Sequence, residues 1–150
     1  MKFFSGMKHF LLPAVVATVL TTVFSTTLRA QNQPSPADRE KQEKQLLEYI
    51  DKEVQRLSGL LELEYWQEFY VDSTLNHDFH AMQEELEALQ SSKVSNADFY
   101  VAVQDKWMQA IYDSYQRFFN EDQWKKYLKS GAAREQRARD KRKAKNEAKN

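Results

Sequence analysis

A stretch without Gly or Pro, residues 61–90, most strongly limits what this chain can fold into. Its later part has apolar residues at successive spacings of 4, 3, 4 and 3, namely Leu75, Phe79, Met82, Leu86 and Leu89. This is the period of a helix with one buried face. The first turns of the stretch are aromatic on several sides, so they require neighbours on several sides. The pattern predicts the central helix of a small helical bundle.

Two more long helices are expected beside this central helix. The first begins at Pro36 behind a Ser35 cap, because these residue types favour these two positions. Its apolar residues again have helical spacing, and they are Leu47, Ile50, Val54, Leu57 and Leu61. The pair Ser58-Gly59 predicts a bend or a tight turn at residues 58–63, with a continuous kinked helix as the alternative.

The third long helix is predicted from about residue 96 to Phe118, with Ser95 as its cap. Its expected core face includes Phe99, Val103, Trp107 and Phe118. Helices of similar length joined by short loops are typical of up-down-up bundles. We therefore predict an all-α fold, in which a three-helix bundle with a core centred on Phe79 and Trp107 is followed by a short fourth helix and a basic tail.

The chain is organised into segments of different composition. Residues 1–30 are typical of a secretory signal, with two early lysines, an apolar run and Ala30 at the predicted cleavage position. An uncleaved membrane anchor is the alternative, although the run is short for a spanning helix. The remaining segments are a flexible leader at 31–35, a helical domain at 36–130 and a charged tail at 131–150. We expect a periplasmic or secreted protein that contacts a membrane only through its signal.

The even balance of 22 basic and 22 acidic residues conceals an asymmetry. Residues 31–124 hold 8 basic against 19 acidic residues, whereas residues 125–150 hold 11 basic against 3 acidic ones. Such a basic tail is either a helix or disordered, and it either stays solvated or contacts anionic envelope components or the acidic body. Export and the lack of interleaved aromatic residues argue against nucleic acid as its partner.

The sequence lacks the residue types and motifs that most kinds of catalysis require. There is no Cys, and the two glycines after residue 30 cannot build a phosphate-binding loop. We therefore expect no enzyme and no cofactor. His77, His80 and Glu84 lie on one helix face, where a Zn²⁺ or Cu²⁺ site would need a further ligand from another helix. The alternative, which we favour, is that the two histidines are half-exposed polar residues flanking Phe79.

Fourteen aromatic residues fall between Tyr65 and Tyr127, more than a small three-helix core can enclose. Most of them should be core residues. Some are expected at the surface, where contiguous aromatic side chains mark a protein-binding or dimer surface. The candidates are Tyr65, Tyr70, Tyr112 and Tyr115.

Two helix starts share a pattern of an apolar residue, a polar cap, two residues and Gln: Leu63 to Gln67 and Phe119 to Gln123. The pattern resembles the repeated LTxxQ motif of the Spy- and CpxP-like periplasmic proteins. The resemblance implies helical hairpins that pair into a cradle-shaped dimer and act as ATP-independent chaperones or envelope-stress modulators. The acidic body departs from the basic client-binding surface expected in that family. The general style of the sequence also looks like that of exported proteins of the Bacteroides group.

These observations together predict an exported, non-enzymatic helical protein that binds other polypeptides, in the manner of a periplasmic chaperone or envelope-stress protein, and that forms a homodimer. The alternative is a structural or adaptor subunit of an envelope assembly, engaged through the basic tail.

Overall fold

The computed structural model describes residues 35–148, and all regular structure within that range is helical. The five α-helices are α1 (Pro36–Leu61), α2 (Tyr65–Ser91), α3 (Ala97–Phe118), α4 (Glu121–Tyr127) and α5 (Ala133–Glu147), with a π-helical turn at Leu128–Ala132 between α4 and α5. The predicted all-α class is confirmed. None of these described helices is long and apolar enough to cross a membrane. The predicted signal, residues 1–30, lies outside the described range.

The chain divides into two units, Met1–Glu40 and Lys41–Asn150. In the first unit, the described residues form the start of α1. The Ser35 hydroxyl accepts a hydrogen bond from the Asp38 N–H at 3.2 Å, and the Asp38 carboxylate accepts one from the Ser35 N–H, also at 3.2 Å. This reciprocal pair satisfies amides that have no partner within the helix, and it confirms the predicted cap.

In the second unit, the turn between α1 and α2 is tight. Glu62 has a φ of 54°, and the Leu63 N–H donates to the Ser58 carbonyl at 3.3 Å. The predicted tight turn is therefore confirmed over the kinked helix. The predicted Ser95 cap of α3 is wrong by one residue, because the side chain of Asn96 accepts from the Asp98 N–H at 2.9 Å.

The long helices pack as successive antiparallel pairs. Between α1 and α2, the rings of Tyr49 and Phe79 meet edge to face with centroids 5.6 Å apart. Between α2 and α3, the Tyr70 and Phe118 rings are 5.9 Å apart at one end, and Lys106 pairs with Glu85 toward the other. This is the predicted up-down-up order.

The core is centred differently from the sequence-based prediction. Tyr115 is only 2% exposed and packs against the rings of Phe118, Phe119 and Tyr127. Trp107 is only partly buried, with His77 beside its ring and Lys106 over it. The buried apolar residues are Ile50, Leu57, Leu61, Val71, Leu75, Phe79, Met82, Leu86, Ile111, Tyr115 and Phe119.

Two predicted core residues are instead at the surface: Leu47 is 45% exposed and Phe99 is 55% exposed. The physical reason for the shift in α3 is that α4 and α5 cover its flank. With a neighbour on that side, Tyr115 faces the interior together with Ile111, whereas Phe99 is exposed and Trp107 is only partly buried.

The basic tail is helical and packs along α3. Arg142 forms two hydrogen bonds with the carboxylate of Asp105, each 2.6 Å long. Arg139 is 8% exposed, and its guanidinium lies 5.6 Å from the centroid of the Tyr112 ring. The tail has no large apolar side chain, yet the stem and planar head of an arginine bury well against an aromatic face. The sequence left open whether the tail is helical or disordered and whether it contacts the acidic body. In the structure the tail is a helix, and it contacts the acidic body.

Candidate protein-binding surface

The first two turns of α2 carry a group of contiguous exposed aromatic side chains, which we call the aromatic patch. Tyr65 is 87% exposed, Trp66 46%, Phe69 61% and Tyr70 52%. The Tyr70 ring lies 6.0 Å from both the Trp66 and the Phe69 rings, in edge-to-face geometry. A cluster of this kind on a monomer is typical of an interaction site.

The patch is exposed because the same two turns bury their opposite side. Gln67 is 2% exposed and Val71 is fully buried, and with Leu75 they continue the core face of α2 toward Phe79 at spacings of four. Residues one and two positions away from Gln67 therefore point to the outside. The core position in the first turn is filled by an amide, not by one of the aromatic side chains.

Gln67 forms a reciprocal amide pair with Gln123, which we call the glutamine pair. Each side chain donates its amide N–H to the side-chain oxygen of the other, and both bonds are 2.8 Å long. Gln67 also donates to the Phe118 carbonyl at 2.9 Å. The pair is buried, and buried amides are stabilising only when their hydrogen bonds are made.

Both members of the glutamine pair also close a helix start. The Glu64 N–H donates to the Gln67 side-chain oxygen, and the Asn120 N–H donates to that of Gln123, both at 3.0 Å. These are the two copies of the sequence motif, and the fold places them against each other. The start of α2, which carries the aromatic patch, is thereby fixed to the start of α4.

The four candidate tyrosines divide into two groups. Tyr65 and Tyr70 are exposed, as predicted. Tyr112 is partly buried between α4 and α5, with its ring 4.9 Å from that of Trp124. The prediction for Tyr115 is wrong, since burial in the core removes it from any surface and also raises the pKa of its hydroxyl well above the usual value.

Trp66 and Phe69 were not predicted to be surface residues. The aromatic first turns of α2 were expected to have neighbours on several sides, whereas the α4 rings of Trp124 and Tyr127 pack on Tyr112 in α3. The signal that could have separated the two faces is the row of residues four apart that leads back from Phe79 through Leu75 and Val71 to Gln67. A polar residue in that row conceals its continuity.

The three candidate metal ligands are not brought together. His77 has a side chain 75% exposed, and its Nδ1 lies 2.7 Å from the Asp78 carboxylate. Both ring nitrogens of His80 are in hydrogen bonds: Nδ1 lies 2.5 Å from the Asn76 carbonyl oxygen, and Nε2 lies 3.0 Å from the Glu43 carboxylate. Among the described residues, 35–148, no group of three or more His, Asp or Glu side chains is arranged to hold a metal ion.

The His80 contacts predict a pH dependence of stability. Both ring nitrogens face acceptors, so the protonated ring satisfies both, and the hydrogen bond to Glu43 followed by that to the Asn76 carbonyl raises the pKa of His80 above its usual 6.5. Because the folded pKa is raised, this stabilisation is complete below pH 6.5 and is lost as the pH rises through the folded value. We expect the free energy of unfolding to decrease across that range by a small amount, since the ring is 39% exposed.

Urea unfolding at a series of pH values measures this effect. The variant His80→Gln should remove the decrease, whereas His77→Gln should keep it. If the free energy of unfolding still decreased with pH in His80→Gln, the decrease would come from another titrating group.

Comparison with protein-family models, with curated proteins and with solved structures gives no match. The structural class of this protein therefore follows from its own fold and surface. It is an all-α helical bundle that exposes contiguous aromatic side chains at the start of its second helix.

Proposed function

We propose that this protein binds apolar segments of other polypeptides at the aromatic patch, without catalysis, and acts as a chaperone-like protein of the cell envelope. The observation that supports this most strongly is the exposure of four aromatic side chains on a helix start fixed by buried hydrogen bonds, with the Tyr70 ring in contact with those of Trp66 and Phe69. Rigid aromatic side chains give large contact area at low entropic cost, and they dominate binding energies at protein interfaces.

The size of the patch indicates what it can hold. An aromatic side chain presents about 150–250 Å², so the four exposed fractions correspond to on the order of 500 Å² of surface. A stable protein interface covers about 800 Å² on each partner. The patch alone is therefore too small for a lasting dimer and suits a short segment of an incompletely folded chain. The predicted homodimer would need additional surface.

The resemblance to the LTxxQ proteins supports the same class of function. The two motif copies, 56 residues apart in sequence, meet through the glutamine pair and hold the helix that carries the aromatic patch. In this proposal the motif has an architectural role, and the aromatic side chains next to its first copy contact the client. The proposed envelope location rests on the signal-like residues 1–30.

Replacing Phe69 and Tyr70 together with Ser should weaken client binding about 30-fold or more, because contacts of this kind contribute about 1 kcal/mol or more each. Suppression of the aggregation of an unfolding client, followed by light scattering, measures the effect. The matched control is Phe99→Ser, since Phe99 is 55% exposed but lies at the start of α3, outside the patch.

The wild-type protein should suppress aggregation near equimolar ratio, and the control variant should do the same. No suppression by the wild-type protein at tenfold excess would remove the chaperone proposal. Equal loss in the control variant would show that exposed aromatic residues act without regard to position, which contradicts a defined site.

The adaptor alternative is retained for one observation. Opposite the contacts of Arg139 and Arg142 with α3, helix α5 presents Arg137, Lys141 and Lys145 at helical spacing, and all three are exposed. A variant with these three residues changed to Gln leaves the α3 contacts in place, unlike a deletion of the tail. Loss of a co-purifying partner in this variant, with the patch variant unaffected, would favour the adaptor function.

A further inference from the structure

The aromatic patch lies in a stretch of the sequence in which every charged side chain is acidic. Residues 57–92, which include all of α2, contain eight Asp or Glu residues and no Lys or Arg. Two of the acidic residues border the patch. Glu64 immediately precedes it and accepts a hydrogen bond from the indole N–H of Trp66 at 2.7 Å, and Asp72 follows Phe69 by three positions.

The helix geometry places these carboxylates at the two ends of the patch. Residues three or four apart are neighbours on a helix surface, so Tyr65, Phe69 and Asp72 form one row along α2. Glu64 and Asp72 are both exposed, and their separation of eight positions corresponds to about 12 Å along the helix axis. An extended peptide covers that distance with about four residues.

From this arrangement we infer that the aromatic patch selects apolar segments flanked by Lys or Arg, with the apolar residues on the rings and the cations at Glu64 and Asp72. This inference rests on the proposed function and names the class of client. The ring faces themselves also attract cations. The same chain uses such contacts twice within its own fold, with Lys106 4.7 Å from the Trp107 ring centroid and Arg139 5.6 Å from that of Tyr112.

The test uses three labelled peptides with the same core of Phe and Leu residues, flanked on both sides by Lys, Gln or Glu. Binding to the full chain is measured by fluorescence anisotropy at low and high salt. We expect the Lys peptide to bind about 3- to 10-fold more tightly than the Gln peptide, since exposed charge pairs each contribute about 0.2–1 kcal/mol. The Glu peptide should bind most weakly, and high salt should reduce the differences.

The double variant Glu64→Gln/Asp72→Asn should bind all three peptides with about the affinity that the wild-type protein has for the Gln peptide. Gln at position 64 retains an oxygen for the Trp66 indole, so the ring geometry is kept. The matched control is Glu87→Gln, an exposed acidic residue near the other end of α2, which should leave the order of affinities unchanged.

The outcomes separate the two proposals. Equal binding of the three peptides, abolished by Phe69→Ser/Tyr70→Ser, would overturn the charge selection while leaving the proposed function in place. Binding of none of them would contradict the proposed function itself.

Lys-peptide binding that survives the loss of the patch aromatics would place the contact elsewhere on the acidic body and overturn the inference. A concentration-dependent dimer that excludes the peptides would assign the patch to a second copy of this chain and overturn it as well.

Discussion

Replacing Tyr115 with Ala is expected to lower the free energy of unfolding by about 3–5 kcal/mol, the range for removing a buried aromatic ring. Tyr115 is 2% exposed and packs against three other aromatic rings, from α3, from α4 and from Phe119 between them. Its removal therefore leaves a cavity at the point where these two helices meet. Chemical denaturation measures the loss directly.

The variant Tyr115→Phe separates the ring from its hydroxyl. The hydroxyl oxygen is buried, and none of residues 35–148 forms a hydrogen bond with it. A buried polar group without a partner is destabilising, so its removal should leave stability unchanged or raise it by up to about 1 kcal/mol. A loss above about 1.5 kcal/mol in Tyr115→Phe would mean that the hydroxyl forms a stabilising hydrogen bond.

Replacing Gln67 with Leu is expected to lower the free energy of unfolding by about 2–4 kcal/mol. The change leaves the Phe118 carbonyl and the Gln123 amide without their buried partner, and it also removes the acceptor for the Glu64 N–H. Loss of that cap adds about 1 kcal/mol, which is included in the range.

A double-mutant cycle tests whether the two glutamines act as a unit. Gln123→Leu alone should cost a similar amount, because it leaves Gln67 unpaired in turn. The double variant should cost less than the sum of the single variants by about 1–2 kcal/mol, since two apolar side chains then face each other. Strict additivity would show that the hydrogen bonds between the two amides contribute no net coupling.

Much of the fold is encoded in local sequence patterns. Helix-period apolar residues and the caps at Ser35 and Asn120 locate α1 to α4 to within a few residues, because both signals act over short distances. Burial in α3 was not predictable in the same way. Which face of that helix is interior depends on α4 and α5 packing on its flank, a contact set by tertiary structure.

The candidate site shows the same limit. The abundance of aromatic residues predicted an exposed surface, and Tyr65 and Tyr70 are part of it. Trp66 and Phe69 were missed because an apolar side chain in an amphipathic helix is normally assigned to the core. Here Gln67 takes the core position, since its amide is fully satisfied by Gln123 and by the Phe118 carbonyl. That pairing joins residues 56 apart in sequence, which no local pattern reports.

Two arginines of the tail illustrate a further gap. Contact of the basic tail with the acidic body was one alternative on grounds of charge, but a segment without large apolar side chains gave no reason to expect its side chains to be buried there. Arg139 and Arg142 nevertheless make the contacts with α3, through a ring face and a bidentate carboxylate pair. Both kinds of contact depend on geometry and on the planar guanidinium, which a hydropathy pattern does not register.

The three tryptophans allow the site of polypeptide binding to be located in one nuclear magnetic resonance titration. Each indole N–H gives one signal, and the three lie in different places: Trp66 in the aromatic patch, Trp107 beside His77 and Trp124 against Tyr112. On addition of an apolar peptide flanked by lysines, the Trp66 signal should shift in a saturable way while the other two stay in place. A shift of the Trp107 or Trp124 signal, with that of Trp66 unchanged, would contradict binding at the start of α2.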